Sequence, residues 1–560
     1  MQLTEEQLAA AHSLATTTYC SAAAGSGKTR TLVERVRWLV QDCHVDPKRI
    51  CVVTFTNAAA RELQLRLAQL GIDGLGHCGT LHALCLRLCN QSAGEAPVTV
   101  LTEEQAVSML QEIGRQVGYR GSQKALREAL RSILERPQEP PLVDLKTRTA
   151  CKEMVSRMRS AREYTYDALL TEGAQALARK QPFSHLLVDE AQDSAPMDSS
   201  IYEMMECQSK FIIGDPNQAI YGFRGSNPEW FQDGCLEYAD AFAELTVNYR
   251  SSCSVVAASQ RLSTLLPVKV GSPTRPAPRA QDGEVRAGQF ADEGKENAEL
   301  LRRIQLGAGD SAAVLVRTNA AADRIRDFLV SAGVPVEQKD WRTQAAQPPL
   351  ALSALQAMAN PGSDRLVSDY VREREQDPAA VEVLRRAAAS TCQSLARCAG
   401  LWECWQVLLP DPLAARALMT QWFARQSKCP PQLDMLQTAD WIENLAWQVP
   451  APFTLQELVL TALAPESRPE TKPGQVFVGT VHSAKGLEWD RVLLPCFDAE
   501  TWPGKKEGAD LEEEIRLAYV AVTRARESVF MSCSLRKKNE FRNWVVEDRH
   551  PSPLMLEAAS

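Results

Sequence analysis

The chain has 560 residues, of which 45% are hydrophobic and 24% are charged, and its formal net charge is −8. This length predicts two to four domains, and the composition is that of an ordinary globular protein rather than a disordered or fibrous one. The negative charge argues against a protein that coats nucleic acid non-specifically. It permits one that holds a strand in a local basic groove.

No apolar run approaches the roughly 18 residues that a membrane span needs, and the segment MQLTEEQLAAAH lacks the basic and apolar regions of a signal peptide. We therefore expect a cytoplasmic protein with no membrane partner. The 16 cysteines are scattered and often lie inside apolar runs, so we expect buried thiols rather than disulfides.

Short apolar runs alternate with amphipathic helical patterns along most of the chain. The runs are ICVVTFT at 50–56, HLLVDE at 185–190, KFIIGD at 210–215, AAVLVRT at 312–318 and RVLLPC at 491–496. This alternation predicts an α/β fold with parallel sheets, and the grouping of the runs before residue 250 and after residue 285 predicts two cores. Two stretches with helical patterns alone predict helical insertions, and no internal repeat is evident.

The first candidate site is the stretch Ser21-Ala-Ala-Ala-Gly-Ser-Gly-Lys-Thr-Arg30. It follows an apolar segment and opens a helical pattern, as a phosphate-binding loop does, but Ala22 occupies the position of the first glycine. In such a loop Lys28 would neutralise phosphate and the Thr29 hydroxyl would contact Mg²⁺. We expect Ala22 to have an ordinary negative φ at the end of a strand.

The second candidate site is Leu187-Val-Asp189-Glu190-Ala-Gln192-Asp193, where an apolar strand is followed by two adjacent carboxylates. Asp189 is placed to hold Mg²⁺, and Glu190 is placed to activate a hydrolytic water. An acidic cap at the end of a strand is the alternative. The phosphate-binding loop on the same chain favours the catalytic interpretation.

These two sites and further segments resemble, in order, the motifs of the superfamily 1 DNA helicases of the UvrD/Rep/PcrA type. The further segments are Leu3-Thr-Glu-Glu-Gln7, Thr54-Phe-Thr-Asn57-Ala-Ala-Ala60, Gly79-Thr80-Leu-His82, GDPNQAIYGFRGS at 214–226, Leu245-Thr-Val-Asn248-Tyr249-Arg250, Ala313-Val-Leu-Val-Arg317-Thr-Asn319, Gly479-Thr480-Val-His482-Ser-Ala-Lys485-Gly486-Leu-Glu488 and Glu513-Glu514-Ile-Arg516-Leu-Ala-Tyr519-Val-Ala-Val-Thr523-Arg524. The resemblance implies two RecA-like P-loop domains with parallel sheets, each carrying a helical insertion.

The resemblance also implies a set of residues that bind and hydrolyse ATP with Mg²⁺. Arg250 and Arg524 would act as arginine fingers from the second core, and Gln218 would sense the γ-phosphate. Nucleotide contacts would come from Gln7, Ala22, Ala23, Ala24, Gly25, Ser26, Gly27, Lys28, Thr29, Tyr249, Arg250, Glu488 and Arg524. Without the resemblance, Arg524 would be interpreted as a surface ion-pair residue.

Single-stranded DNA and junctions between single strand and duplex are the implied partners. The implied strand contacts are Phe55, Thr56, Asn57, Thr80, His82, Tyr221, Phe223, Arg224, Thr480 and His482. Two alternatives remain open from the residues themselves. Tyr221 and Phe223 have the spacing of core aromatics on one face of a strand, and the two histidines could make structural hydrogen bonds.

We expect the first core at 1–94 plus 179–248, its insertion at 95–178, the second core at 249–348 plus 472–550, a reduced insertion at 349–471, and a tail at 551–560. The expected function is an ATP-dependent DNA helicase or translocase, 3′ to 5′ by resemblance, of the kind that serves DNA repair. The alternative is a DNA-stimulated ATPase that works with a separately encoded nuclease or loading partner, as in phage defence, without robust unwinding of its own.

Overall fold

The computed structural model describes residues 3–91, 98–135, 143–222, 225–268, 270–307, 309–337, 356, 455–463, 474–504, 507–539 and 545–560. Most of the predicted insertion at 349–471 lies outside these residues, as do the predicted strand contacts Phe223 and Arg224.

The described residues form seventeen strands. They are β1 Thr17–Ala22, β2 Ile50–Val53, β3 His77–Gly79, β4 Thr99–Val100, β5 Glu163–Tyr164, β6 His185–Val188, β7 Ser209–Gly214, β8 Ala241–Leu245, β9 Val247–Asn248, β10 Arg275–Pro276, β11 Glu284–Phe290, β12 Ala312–Val316, β13 Val476–Thr480, β14 Trp489–Leu494, β15 Ala525–Ser534, β16 Arg536–Asn539 and β17 Val545–Asp548.

The same residues form sixteen α-helices. They are α1 Glu5–Ala11, α2 Lys28–Arg37, α3 Asn57–Ala68, α4 Leu81–Asn90, α5 Glu103–Gln116, α6 Gln123–Glu135, α7 Leu145–Ala161, α8 Tyr166–Lys180, α9 Pro196–Met204, α10 Pro228–Asp233, α11 Cys253–Ser263, α12 Glu293–Leu306, α13 Asn319–Ser331, α14 Leu455–Leu463, α15 Gly508–Thr523 and α16 Pro553–Ala559. None of the described helices is long and apolar enough to cross a membrane.

Two parallel sheets organise the protein. The first has six strands in the order β3-β2-β6-β7-β1-β8, and the second has five in the order β11-β15-β14-β12-β13. Every pairing within these two sheets is parallel. Each of the five apolar runs forms a strand, namely β2, β6, β7, β12 and β14, so the predicted α/β fold with two parallel cores is confirmed.

The central strands are buried because helices cover both faces of each sheet, as in α/β proteins generally. One cluster of buried side chains packs α2 against the first sheet, and a larger one joins the other face of that sheet to helices α4 to α8. Two more clusters cover the faces of the second sheet. In a parallel sheet the carboxyl ends of all strands meet at one edge, where ligands usually bind.

Residues 553–559 correct the prediction of a tail at 551–560. They form α16, and the side chains of Leu554, Met555 and Ala558 are buried in the same cluster as α11 and α15. Arg261 of α11 donates hydrogen bonds to the carbonyl oxygens of Glu557 and Ala558 at 3.0 and 2.8 Å. The apolar positions at 554, 555 and 558 share one face of a helix, which explains why this segment packs against the second core.

Candidate functional site

The phosphate-loop candidate joins β1 to α2 at the carboxyl edge of the first sheet. Gly25 and Gly27 have positive φ values of 71° and 91°, and α2 begins at Lys28. Ala22 ends β1 and is absent from the non-glycine residues with positive φ in the described chain, which confirms the expectation for its backbone. The Nζ atom of Lys28 donates to the carbonyl of Ala22 at 3.5 Å and thus folds back over the loop.

The two glycines are required because the loop is closely surrounded. A Cβ atom at Gly25 would lie 2.6 Å from Oδ1 of Asn248, and one at Gly27 would lie 2.6 Å from Nε2 of Gln7. The Ala23 amide donates to the carbonyl of Leu245 at 3.1 Å and does not point freely into the loop. Ser26 is buried, and its Oγ has no hydrogen-bond partner among the described residues. A cradle with an unpaired buried hydroxyl fits a phosphate chain.

Gln7 ties α1 to this loop. Its Nε2 donates to the carbonyl of Ser26 at 2.9 Å, and its Oε1 accepts from the Thr4 amide at 3.1 Å as part of an N-terminal capping box. Gln7 therefore stands beside the loop with one N–H of its amide group not used by these two bonds.

The acidic candidate follows β6, which lies next to β7 and two strands from β1 in the sheet. The Asp189 carboxylate accepts from the Glu190 amide at 3.0 Å, and Glu190 has a left-handed backbone with φ 50°. Such a backbone is uncommon outside glycine and is often found at functional sites. Gln192 bridges two segments, because its Nε2 donates to Glu190 at 2.8 Å and its Oε1 accepts from the Asp215 amide at 2.9 Å.

The Glu190 carboxylate is surrounded by positive charge. Burial alone would raise its pKa, but the charges of Lys28 and Lys485, the hydrogen bond from Gln192 and the charge of Arg524 lower the pKa of Glu190 to about 2. The group is therefore ionised at neutral pH, as a general base must be.

Gln218 and Arg524 meet directly across the gap between the two sheets. The Nη2 atom of Arg524 donates to Oε1 of Gln218 at 3.1 Å, and Nε2 of Gln218 donates to Asp215 at 2.7 Å. The Tyr519 hydroxyl donates to the same Asp215 carboxylate at 3.4 Å. Arg524 is 2% exposed, so the interpretation of this residue as a surface ion-pair partner is wrong. Its burial and the neighbouring charge of Arg250 lower its pKa, whereas the charge of Glu190 raises it.

Arg250 lies on the segment that follows β9 and faces the same gap. Its Nε pairs with the Glu488 carboxylate at 2.5 Å, and its Nη1 donates to the Thr523 carbonyl at 3.2 Å. Glu488 also accepts from Arg526 at 2.8 Å. Tyr249 is 43% exposed beside the loop, where its amide donates to the Gly25 carbonyl at 2.9 Å. Arg250 and Glu488, predicted to contact different parts of a nucleotide, therefore pair with each other in this structure.

Lys485 links the second core directly to the first. Its Nζ pairs with the Asp193 carboxylate at 2.5 Å, donates to the Gln218 carbonyl at 2.7 Å and lies 4.8 Å from the centre of the Tyr221 ring. Its sequence segment was recognised, but no role for Lys485 was predicted. Gln192, Asp215 and Tyr519 were missed in the same way, since their roles depend on partners far along the chain.

The predicted metal ligands lie on two elements of the first core. Thr29 lies in the first turn of α2, and Asp189 lies directly after β6. A hydroxyl and a carboxylate supply the oxygen atoms that Mg²⁺ prefers, with further positions left for water and phosphate. The residues present therefore fit a magnesium ion bound together with a nucleotide.

Three of the predicted strand contacts, Thr56, Asn57 and Thr80, lie at the N-terminal ends of α3 and α4. The Thr56 and Thr80 hydroxyls cap these helices by accepting from the Ala59 and Ala83 amides, each at 3.2 Å. The Nδ2 atom of Asn57 donates to the Thr461 hydroxyl of α14 at 2.9 Å. These side chains hold two helix N-termini in place, and helix N-termini attract phosphate through their free amides.

The predicted aromatic contacts are differently placed. The Phe55 and Tyr221 rings stack at 5.0 Å, and Tyr221 is 1% exposed with Lys485 over its ring. The open alternative of a core aromatic describes Tyr221 in this structure, because Phe55 and Lys485 cover it. The centre of the His482 ring lies 6.4 Å from the centre of the Tyr221 ring.

His82 packs against the Tyr166 ring at a centroid distance of 3.7 Å. Burial lowers the pKa of His82 to about 3, so this ring is neutral at pH 7. A neutral imidazole can still donate a hydrogen bond through one N–H, and Nε2 of His82 has no hydrogen-bond partner among the described residues, so the strand contact of His82 stays a prediction.

Two short segments that follow strands of the first sheet recur after strands of the second sheet. This internal repeat was not expected from the sequence. Thr56-Asn57-Ala-Ala-Ala60 after β2 recurs as Thr318-Asn319-Ala-Ala-Ala322 after β12, and Gly79-Thr80-Leu-His82 after β3 recurs as Gly479-Thr480-Val-His482 after β13. The Thr318 hydroxyl caps α13 as Thr56 caps α3. The Thr480 hydroxyl accepts from the amide three residues on, that of Ser483, at 3.3 Å, as the Thr80 hydroxyl accepts from that of Ala83. In each sheet the two strands of the repeat are neighbours.

Comparisons with known proteins agree with this arrangement. Residues 3–234 match the UvrD/REP helicase N-terminal domain, and residues 441–536 match the UvrD-like helicase C-terminal domain. DNA helicase II of Escherichia coli is 27% identical, over 91% of this chain and 81% of the relative. The ATP-dependent DNA helicase PcrA of Leuconostoc citreum is 26% identical, over 96% and 83%. The ATP-dependent DNA helicase UvrD2 of Mycobacterium tuberculosis is 26% identical, over 95% and 80%. The models of the N-terminal and of the C-terminal helicase domain both match, in the order expected along one chain. The chain therefore belongs to the UvrD/REP helicase family.

Proposed function

We propose that this protein is an ATP-dependent DNA helicase that hydrolyses ATP between its two parallel sheets and moves along single-stranded DNA. The observation that carries this proposal is the hydrogen bond between Arg524, at the end of α15 in the second core, and Gln218, after β7 in the first core, at 3.1 Å. It brings a cation from one core to the acidic and phosphate-loop residues of the other. The similar proteins named above as ATP-dependent DNA helicases support the same activity.

Hydrolysis of ATP needs positive charge on several sides of the γ-phosphate. Lys28 supplies it from the first core, and Arg250 and Arg524 supply it from the second. Thr29 and Asp189 would hold Mg²⁺, which neutralises charge on the phosphate oxygens when bound. Glu190 accepts the proton of the attacking water, and Gln218 reports the state of the γ-phosphate to Arg524.

The rest of the nucleotide would lie against residues beside the loop. The free N–H of Gln7 suits the adenine edge, and the exposed Tyr249 ring suits its face. Glu488 would contact the ribose once its pairing with Arg250 is exchanged for nucleotide contacts. Residues 22–27 would contact the phosphates through backbone amides where these are free.

Strand binding would use the helix N-termini behind Thr56 and Thr80, together with Asn57, Phe55, Thr480 and His482. Tyr221 would act by supporting Phe55, and His82 would contact the strand from the first turn of α4. We propose the domain boundaries given above, with residues 551–560 added to the second core, for two cores that close on ATP and reopen after hydrolysis. Alternate closing and opening then moves the strand from one core to the other.

The test is strand displacement by the purified chain with ATP and Mg²⁺ on duplexes with a 3′ or a 5′ single-stranded tail. We expect displacement from the 3′-tailed duplex and little from the 5′-tailed one, because the proposed movement along the strand is 3′ to 5′. Displacement restricted to the 5′-tailed duplex would overturn the proposed polarity. DNA-stimulated ATP hydrolysis without displacement of either duplex would favour a partner-dependent ATPase, such as a subunit of a nuclease or defence complex.

A further inference from the structure

An ion pair joins α15 to the second strand cradle, by which we mean the second-core half of the repeat, Thr318-Asn319 after β12 and Thr480 to His482 after β13. The Arg317 guanidinium binds the Glu514 carboxylate through Nε at 2.9 Å and through Nη2 at 2.8 Å. The Glu514 side chain is 1% exposed, so its charge depends on this partner. Two parallel N–H···O bonds fix the orientation of both planar groups.

The two ends of this pair belong to different functional segments. Arg317 lies between the last residue of β12 and Thr318, the hydroxyl of which caps α13. Glu514 lies on α15, and Arg524 is the residue that caps the C-terminus of this helix. Arg524 is ten positions after Glu514, which is roughly 15 Å along a helix. The ion pair therefore links the loop at Arg317 to the helix that positions a proposed arginine finger.

Helix α15 is rigidly held along the stretch between these points. Trp502 is buried and donates through Nε1 to the Glu514 carbonyl at 3.0 Å. Leu517, Ala518 and Val520 are buried in the core of the second sheet. On the side facing the first sheet, a Cβ atom at Gly222 would come within 2.7 Å of the Glu513 carboxylate. Because its side chains are packed, the helix moves as one body rather than bending.

The repeat shows that this link is specific to the second core. In the first core the residue before the capping Thr56 is Phe55, which stacks on Tyr221. In the second core the residue before the capping Thr318 is Arg317, which binds Glu514. Both residues therefore connect a cradle to the gap between the sheets. Only the second does so through a charge pair on the helix of Arg524.

We propose that Arg317 and Glu514 are positioning residues that couple occupancy of the second strand cradle to the placement of Arg524. This inference rests on the proposed function, and it assigns neither residue a contact with ATP or with the strand. Binding of a strand beside Thr318 would fix the loop, and the ion pair would fix α15 and Arg524 with it. The pair should therefore act on the stimulation of ATP hydrolysis by DNA rather than on hydrolysis without DNA.

The experiment compares the wild-type chain with Glu514→Gln, Arg317→Gln and the double variant. For each, kcat is measured without DNA and with saturating single-stranded oligonucleotide, and the Kd for the oligonucleotide is measured by fluorescence anisotropy. We expect DNA-free kcat and Kd to stay within about threefold, and the stimulated kcat to fall about tenfold. The double variant should be no worse than either single variant, because the two residues act as one unit.

Arg302→Gln is the matched control, since Arg302 pairs with Glu299 on the exposed surface of α12 and should change none of these values. Unchanged stimulation in both single variants would overturn the inference. So would an equal fall of kcat with and without DNA in a folded variant, since that result means a purely structural role. If a single variant fails to fold, the double variant, which buries no unpaired charge, decides between these outcomes. Absence of DNA stimulation in the wild-type chain would instead contradict the proposed function itself.

Discussion

The gap between the two sheets and the N-terminal ends of α3 and α4 use their polar side chains in different ways. In the gap, charged groups from distant segments bind one another, as Lys485 binds Asp193 and Arg250 binds Glu488. At the two helix ends, Thr56 and Thr80 satisfy helix amides of their own neighbourhood. Side chains in the gap are therefore expected to act directly in chemistry, whereas those at the helix ends act by shaping the backbone.

Lys28→Ala should have the largest effect, because it removes the cation that the phosphate loop directs at the nucleotide. We expect kcat for ATP hydrolysis to fall at least about 1,000-fold, the upper end for loss of one charge-stabilising group. The oligonucleotide Kd should change little, since Lys28 is not one of the proposed strand contacts. Phosphate release and anisotropy measure the two effects, and the exposed Lys48→Ala is the control. Full hydrolysis by Lys28→Ala would remove the phosphate-loop assignment.

Arg524→Ala should lower kcat about 1,000-fold, the lower end of the range for an arginine finger. The affinity for ATP should fall much less, because Lys28 and the loop remain. Rapid-mixing measurement of ATP binding and of single-turnover hydrolysis separates the two quantities. If affinity collapsed while the rate per bound ATP stayed normal, Arg524 would be a binding residue and the direct chemical role of the gap would be weakened.

Most residues that line the gap could be predicted from the sequence, but the contacts between them could not. The phosphate loop and the acidic pair were identified from local patterns, because each requires a fixed spacing along the chain, whereas both arginines were identified only through the family resemblance. The bond between Arg524 and Gln218 spans 306 positions, and no local pattern contains that distance. Edge strands such as β8 and β11 were missed because their half-exposed residues form no apolar run. Burial of Tyr221 could not be separated from a stacking role, since a spacing of two residues fits both.

Glu190→Gln should keep ATP binding and lower kcat about 100-fold, the usual worth of a general base.

The pH dependence of kcat tests the charges that surround Glu190. The pKa of Glu190 is held at about 2, so the wild-type carboxylate stays ionised and its protonation removes no activity between pH 9 and pH 5. Lys485→Gln removes one of the charges that lower this pKa, so the acid limb of the kcat profile should move to higher pH. A lower kcat with an unmoved acid limb would mean that Lys485 acts only through Asp193.

Thr80→Ala should have the smallest effect and tests the other half of the comparison. Loss of the cap costs about 1 kcal/mol of helix stability and leaves the N-terminus of α4 less ordered. We expect the oligonucleotide Kd to rise about fivefold, which is close to 1 kcal/mol, with DNA-free kcat unchanged. Thr80→Ser should restore binding because it keeps the capping oxygen. Thr102→Ala removes an equivalent cap from α5 and should lower Tm similarly without changing Kd. Should Thr80→Ser bind as poorly as Thr80→Ala, the methyl group rather than the cap would matter, and the helix ends would resemble the gap in using side chains directly.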